Sequence, residues 1–124
     1  SKAKIEKILK SGSEWERYWA CLVCSQFGGK AKALSSLLAS LTEEKNLLVR
    51  MRAIEALALV SGGNPIPELI KISNESNSRI EVLLIMNSIV FFRDHCGFKL
   101  NPKSFSISAP KGEFYRRLEY FDVE

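Results

Sequence analysis

Asn46-Leu47-Leu48-Val49-Arg50-Met51-Arg52-Ala53-Ile54-Glu55-Ala56-Leu57-Ala58-Leu59-Val60 decides the reading of this chain. Val49, Ala53, Ala56, Leu57 and Val60 recur at helical spacing, so one face of a helix over 47–60 is apolar. Asn46 stands where an N-cap side chain accepts a hydrogen bond from the first free amides. Two other places repeat the pattern. Ser13-Glu14-Trp15-Glu16 and Ser78-Arg79-Ile80-Glu81 both have the Ser-x-x-Glu form of a capping box, in which serine and glutamate each satisfy the other's amide. The first leads into Trp15, Trp19, Leu22, Val23 and Phe27, the second into Ile80, Leu83, Leu84, Ile89 and Val90. These stripes predict helices over 14–27 and 78–95.

The three starts are about 32 residues apart, inside the range of helical solenoids. Shorter helices fit between them. Gly28-Gly29 stops the first long helix before a segment over 32–41, and Gly62-Gly63 precedes one over 66–73. Pro65 and Pro67-Glu68 suit its first turn, where proline gives up an amide that lacks a partner and glutamate meets the positive end of the dipole. At the start, Ile5, Ile8 and Leu9 mark a helix over 2–10 with its lysines turned outward. The expected fold is therefore all-α: a right-handed superhelix of HEAT-like (ARM-type) helix pairs forming one domain over 1–124. An extended segment, Phe98 to Lys111, anchored by Phe98, Leu100, Phe105 and Ile107, then leads to a final helix over 113–121 with Phe114, Leu118 and Phe121 inward.

Composition agrees with one modest core, at 124 residues and 46% hydrophobic. The most apolar run, Ile80 to Phe92, is interrupted by Glu81, Asn87 and Ser88 and falls short of the ~20 apolar residues of a membrane span. The formal charge of +4 gathers in Lys2, Lys4, Lys7 and Lys10. A nucleic-acid module calls for a denser basic face interleaved with aromatics, so DNA is the weakest of the partners considered. Loss of affinity on adding salt is its test.

No residue is assigned to catalysis, metal or cofactor binding. Cys21-Leu22-Val23-Cys24 has a suggestive spacing, but it lies inside a periodic helix, where free thiols serve as small apolar residues; zinc pairs sit on turns. His95 follows Arg93-Asp94 at a helix end, where a cation meets the negative end of the dipole. The glycine pairs lack the spacing and preceding strand of a phosphate loop. Arg17 and Arg50 occupy equivalent places in the first two repeats and are expected to bridge neighbouring repeats. Asn87, in mid-helix, is expected to bond a loop carbonyl. Trp15, Tyr18, Tyr120 and Phe121 are the candidates for contact with another domain, a partner or a second copy.

Arg17-Tyr18-Trp19-Ala20, Val49 to Leu57, Glu81 to Val90 and Tyr115-Arg116-Arg117-Leu118-Glu119-Tyr120, taken in that order, resemble the C-terminal HEAT-like region of some bacterial arylsulfatase-type sulfatases. The resemblance runs from about Ser13 to Phe121. It implies that this chain is a C-terminal piece of a larger exported, periplasmic or secreted hydrolase, with the sulfatase catalytic domain as its partner in the same polypeptide. That enzyme would hydrolyse sulfate esters with calcium and a formylglycine made from Cys or Ser in Cys/Ser-x-Pro-x-Arg. Here Cys21, Cys24 and Cys96 are followed at the proline position by Val23, Gln26 and Phe98, so no catalytic or metal residue carries over. The alternative is a stand-alone HEAT-repeat module that binds a protein or peptide.

Overall fold

The computed structural model describes residues 1–101. Helices and no strands occur among them. The final helix over 113–121, most of the extended segment and the contact candidates Tyr120 and Phe121 lie outside the described residues. The chain divides into two compact units, Ser1–Asn64 and Pro65–Glu124.

The first unit contains α1 (Lys2–Ser11), α2 (Glu14–Phe27), a 3-10 segment (Gly28–Leu34), α3 (Ser35–Leu41) and α4 (Leu47–Ser61). The caps read from the sequence form as expected. The Ser13 amide donates to Glu16 Oε1 at 2.8 Å while the Glu16 amide donates to Ser13 Oγ at 3.2 Å. This pair holds Glu16 below the usual carboxylate range, chiefly through the bond from the Ser13 backbone. Asn46 Oδ1 accepts from the amides of Leu48 and Val49, starting α4.

The helix expected over 32–41 is different in kind. Gly28, at φ 55°, ends α2 in a conformation that only glycine adopts freely. No side chain caps the next segment, and the chain winds into 3-10 turns through Leu34 before the α-helix begins at Ser35. Three residues per turn place Ala31 and Leu34 on one side, and both are buried.

The core of this unit joins Leu9, Ala20, Cys21, Cys24, Ala31, Leu34, Leu38, Leu41, Ala53, Ala56 and Val60, with Ile5, Ile8 and Leu57 packed against it. The α1 and α4 stripes are thus as expected. The α2 stripe is not: Trp15, Trp19 and Phe27 are 66%, 60% and 54% exposed, and the buried residues are Ala20, Cys21 and Cys24. Those three small side chains, matched by Ala53 and Ala56 of α4, let two helix backbones approach closely where an indole would force them apart.

The second unit contains α5 (Ile66–Glu75) and α6 (Arg79–Cys96). Pro67 and Glu68 stand in the first turn of α5. At Ser78 the capping box is relayed. Ser78 Oγ accepts from the Glu81 amide at 3.3 Å, but the Ser78 amide donates to Ser76 Oγ, which itself donates to Glu81 Oε1 at 2.6 Å. Along α6 the buried face is Val82, Ile85, Met86, Ile89 and Phe92, rotated from the expected stripe; Ile80 and Leu83 are exposed. Asn87 is exposed as well. Gly97, at φ 76°, closes α6, and the Phe98 amide reaches back to the Phe92 carbonyl at 3.3 Å. Among the described residues no helix is long and apolar enough to cross a membrane.

Candidate docking surface on α2

Caps and helix stops fix nothing about chemistry; the side chains on the outer face of α2 do. Trp15 and Trp19 are one turn apart, with Tyr18 between them. Both indoles meet the Tyr18 ring edge to face, with centroids 5.5 Å apart in each case. This geometry suits the aromatic quadrupole and makes one ridge of three rings.

The ridge is braced from beneath. The Arg52 guanidinium of α4 lies 5.2 Å from the Tyr18 ring centroid, a cation-π contact, and Arg52 Nη1 donates to Glu55 Oε1 at 2.8 Å. Their side chains are only 20% and 11% exposed. Burial pulls the Arg52 guanidinium down, but the Glu55 carboxylate, with Tyr18 adding to it, outweighs burial and holds it above its ordinary value. Arg52 is therefore a fixed cation under the ring. Beside the ridge, Glu14, Trp15 and Tyr18 with Asn46, Leu48 and Val49 line a hollow of about 110 Å³.

Arg17, on the neighbouring face of α2, pairs with Glu44 in the connection between α3 and α4, which ties α2 to the chain just before α4. Arg50 is half-buried on α4. Trp15 and Tyr18, singled out from sequence, come together here; Arg17 lies beside them. Trp19, Arg52 and Glu55 are the members of the site that sequence reasoning misses. The signal for the last two is present: an opposite-charge pair three apart in a helix whose other residues, Arg50 and Ser61 excepted, are apolar.

The groups that invite a catalytic reading belong to two units, Cys21 and Cys24 to α2 and Asp94 and His95 to α6. Cys21 and Cys24 are buried free thiols. Burial, then the neighbouring Cys24 and Glu55, pushes the Cys21 thiol up to about 12, against a smaller opposite pull from Arg17. His95 packs against Phe91 with ring centroids 5.3 Å apart, and Asp94 accepts from Arg93 at 2.8 Å. Among the described residues no group of three or more His, Cys, Asp or Glu could hold a metal ion. No family model, curated protein or solved structure matches the chain.

Proposed function

We propose that this chain is a helical-repeat docking module of HEAT-like type, whose own residues carry no catalysis and whose Trp15-Tyr18-Trp19 ridge packs against a sulfatase-type catalytic domain on the same polypeptide. The observation that supports docking is the ridge: two indoles more than half exposed, yet held in place through Tyr18 by a partly buried Arg52-Glu55 pair. Exposed tryptophans that serve no core position are the residue type most enriched at the centre of protein interfaces. The choice of partner rests on the resemblance of the four sequence blocks. In this role the module supports the enzyme by packing, by shaping substrate access or by making an oligomer contact.

The test has two steps. The gene on the N-terminal side of Ser1 is sequenced for Cys/Ser-x-Pro-x-Arg, and the two parts are then produced separately and mixed. Association that is lost in a Trp15→Ser/Trp19→Ser variant is the expected result, with no sulfate-ester hydrolysis by this chain alone. A separate gene with no such motif sinks the sulfatase assignment. Unchanged association by the variant sinks the ridge. The hollow beside Trp15 favours one second reading, a stand-alone module in which a partner peptide inserts a side chain between Trp15 and Leu48.

A further inference from the structure

A second hollow, of about 280 Å³, lies in the first unit, between the start of α1, the end of α2 and the 3-10 segment. Ile5, Cys24, Phe27, Ala31 and Leu34 make its walls apolar, and Lys2 and Lys30 line it as well. Its volume is just below the ~300–1,000 Å³ of ordinary small-molecule sites. Phe27, 54% exposed, serves as one of the walls, which gives this ring a use that the core does not. Cys24 adds no charge, because burial pushes its thiol up.

The charges around the hollow are placed against local preference. The first turn of α1 holds no acidic residue, and Lys2 and Lys4 stand at the positive end of the helix dipole, where cations are disfavoured. Glu6, the acidic residue of α1, pairs with Lys10 toward the other end at 3.3 Å. Among the described residues neither Lys2 nor Lys30 has an acidic partner. Ser1 Oγ accepts from the Lys4 amide at this end of α1 and lines the hollow too. An anion here would offset the charge of the two lysines, while the apolar walls call for a hydrocarbon body.

We propose that the hollow binds a small amphiphilic anion, an unbranched medium-chain carboxylate, with its tail along Ile5, Cys24, Phe27 and Leu34 and its head group between Lys2 and Lys30. The inference is independent of the ridge on α2 and of the identity of any protein partner. It is tested by titrating the isotope-labelled chain with sodium decanoate below its micelle concentration and following backbone amide shifts. Saturable shifts confined to residues 2–5 and 24–34 are expected, with 1-decanol and acetate each binding at least roughly tenfold more weakly. Lys2→Gln/Lys30→Gln, both at exposed positions, should lower decanoate affinity by about tenfold while leaving the spectrum of the free protein folded. Phe27→Ser should weaken decanoate and decanol alike. With decanoate alone, any of three outcomes overturns the proposal: no saturable shift, shifts spread over the whole chain, or an unchanged affinity in the double lysine variant. A response to anionic vesicles without one to free decanoate also overturns it, in favour of a membrane surface.

Discussion

Helix α2 has two apolar faces, and the chain treats them in opposite ways. One carries Ala20, Cys21 and Cys24, all buried, against Ala53 and Ala56 of α4; the other carries Trp15 and Trp19, both more than half exposed. Ranking by hydrophobicity selects the tryptophans for the core. Helix packing selects the small residues, because α4 presents alanines, and two helices with small facing side chains reach close contact without cavities. Which face is buried is thus set by the partner helix as much as by α2. The larger face remains outside, braced and available to another surface.

The largest break in this comparison is expected where the two faces are joined, at the Arg52-Glu55 pair. Glu55→Ala leaves a mostly buried guanidinium without its carboxylate and should cost about 3 kcal/mol, read from the urea midpoint. Arg52→Met/Glu55→Ala should recover much of that loss, since no lone charge then remains. A single variant within about 0.5 kcal/mol of the parent would show that the pair braces nothing. The next effect tests the seam itself. Ala56 is fully buried, and Ala56→Leu should destabilise by about 2 kcal/mol through overpacking. An enlarged residue tolerated there would mean that the two helices are not closely packed.

A smaller effect comes from the thiol in the same seam. Cys21 ordinarily titrates near 9.0 and is pushed up to about 12 in the fold. Between these values the unfolded chain has given up a proton that the folded chain keeps, so stability declines as pH rises through that window. Below pH 9 the group has no effect on the pH dependence. Comparing Tm against pH for the parent and Cys21→Ala isolates the contribution: the parent curve should fall more steeply above pH 9, and parallel curves would contradict the burial.

The seam and the ridge also show what a sequence can and cannot tell. Ser13, Asn46 and Ser78 announce where α2, α4 and α6 begin, because a cap is a local interaction within four residues. Cys21 and Cys24 are recognisable as small apolar helix residues from their place in a periodic segment, though not from that alone as members of the buried face. The buried face of α2 is not legible, since Trp15-Trp19 and Arg17-Ala20-Cys21-Cys24 are both helical stripes and the choice depends on α4, about thirty residues away. The same ambiguity moves the stripe of α6 from Ile80-Leu83 to Val82-Ile85-Met86-Ile89. For the aromatic ridge, Trp15 and Tyr18 are evident as unusual aromatics, whereas the cation beneath them requires knowing that α2 and α4 are neighbours.

The smallest expected effect on stability is the most informative about function. Trp15→Ser/Trp19→Ser removes two large apolar rings, and from a core that change would cost several kcal/mol. At 66% and 60% exposure the rings have little burial to lose, so chemical denaturation should place the variant within about 0.5 kcal/mol of the parent. Tyr18 should stay where it is, because Arg52 holds it from the other side. A loss above about 2 kcal/mol would assign the indoles to folding and leave α2 with no surface to spare. Unchanged stability together with lost association would separate the two faces of α2 cleanly: the alanine and cysteine seam folds the chain, and the indoles recognise what lies beyond it.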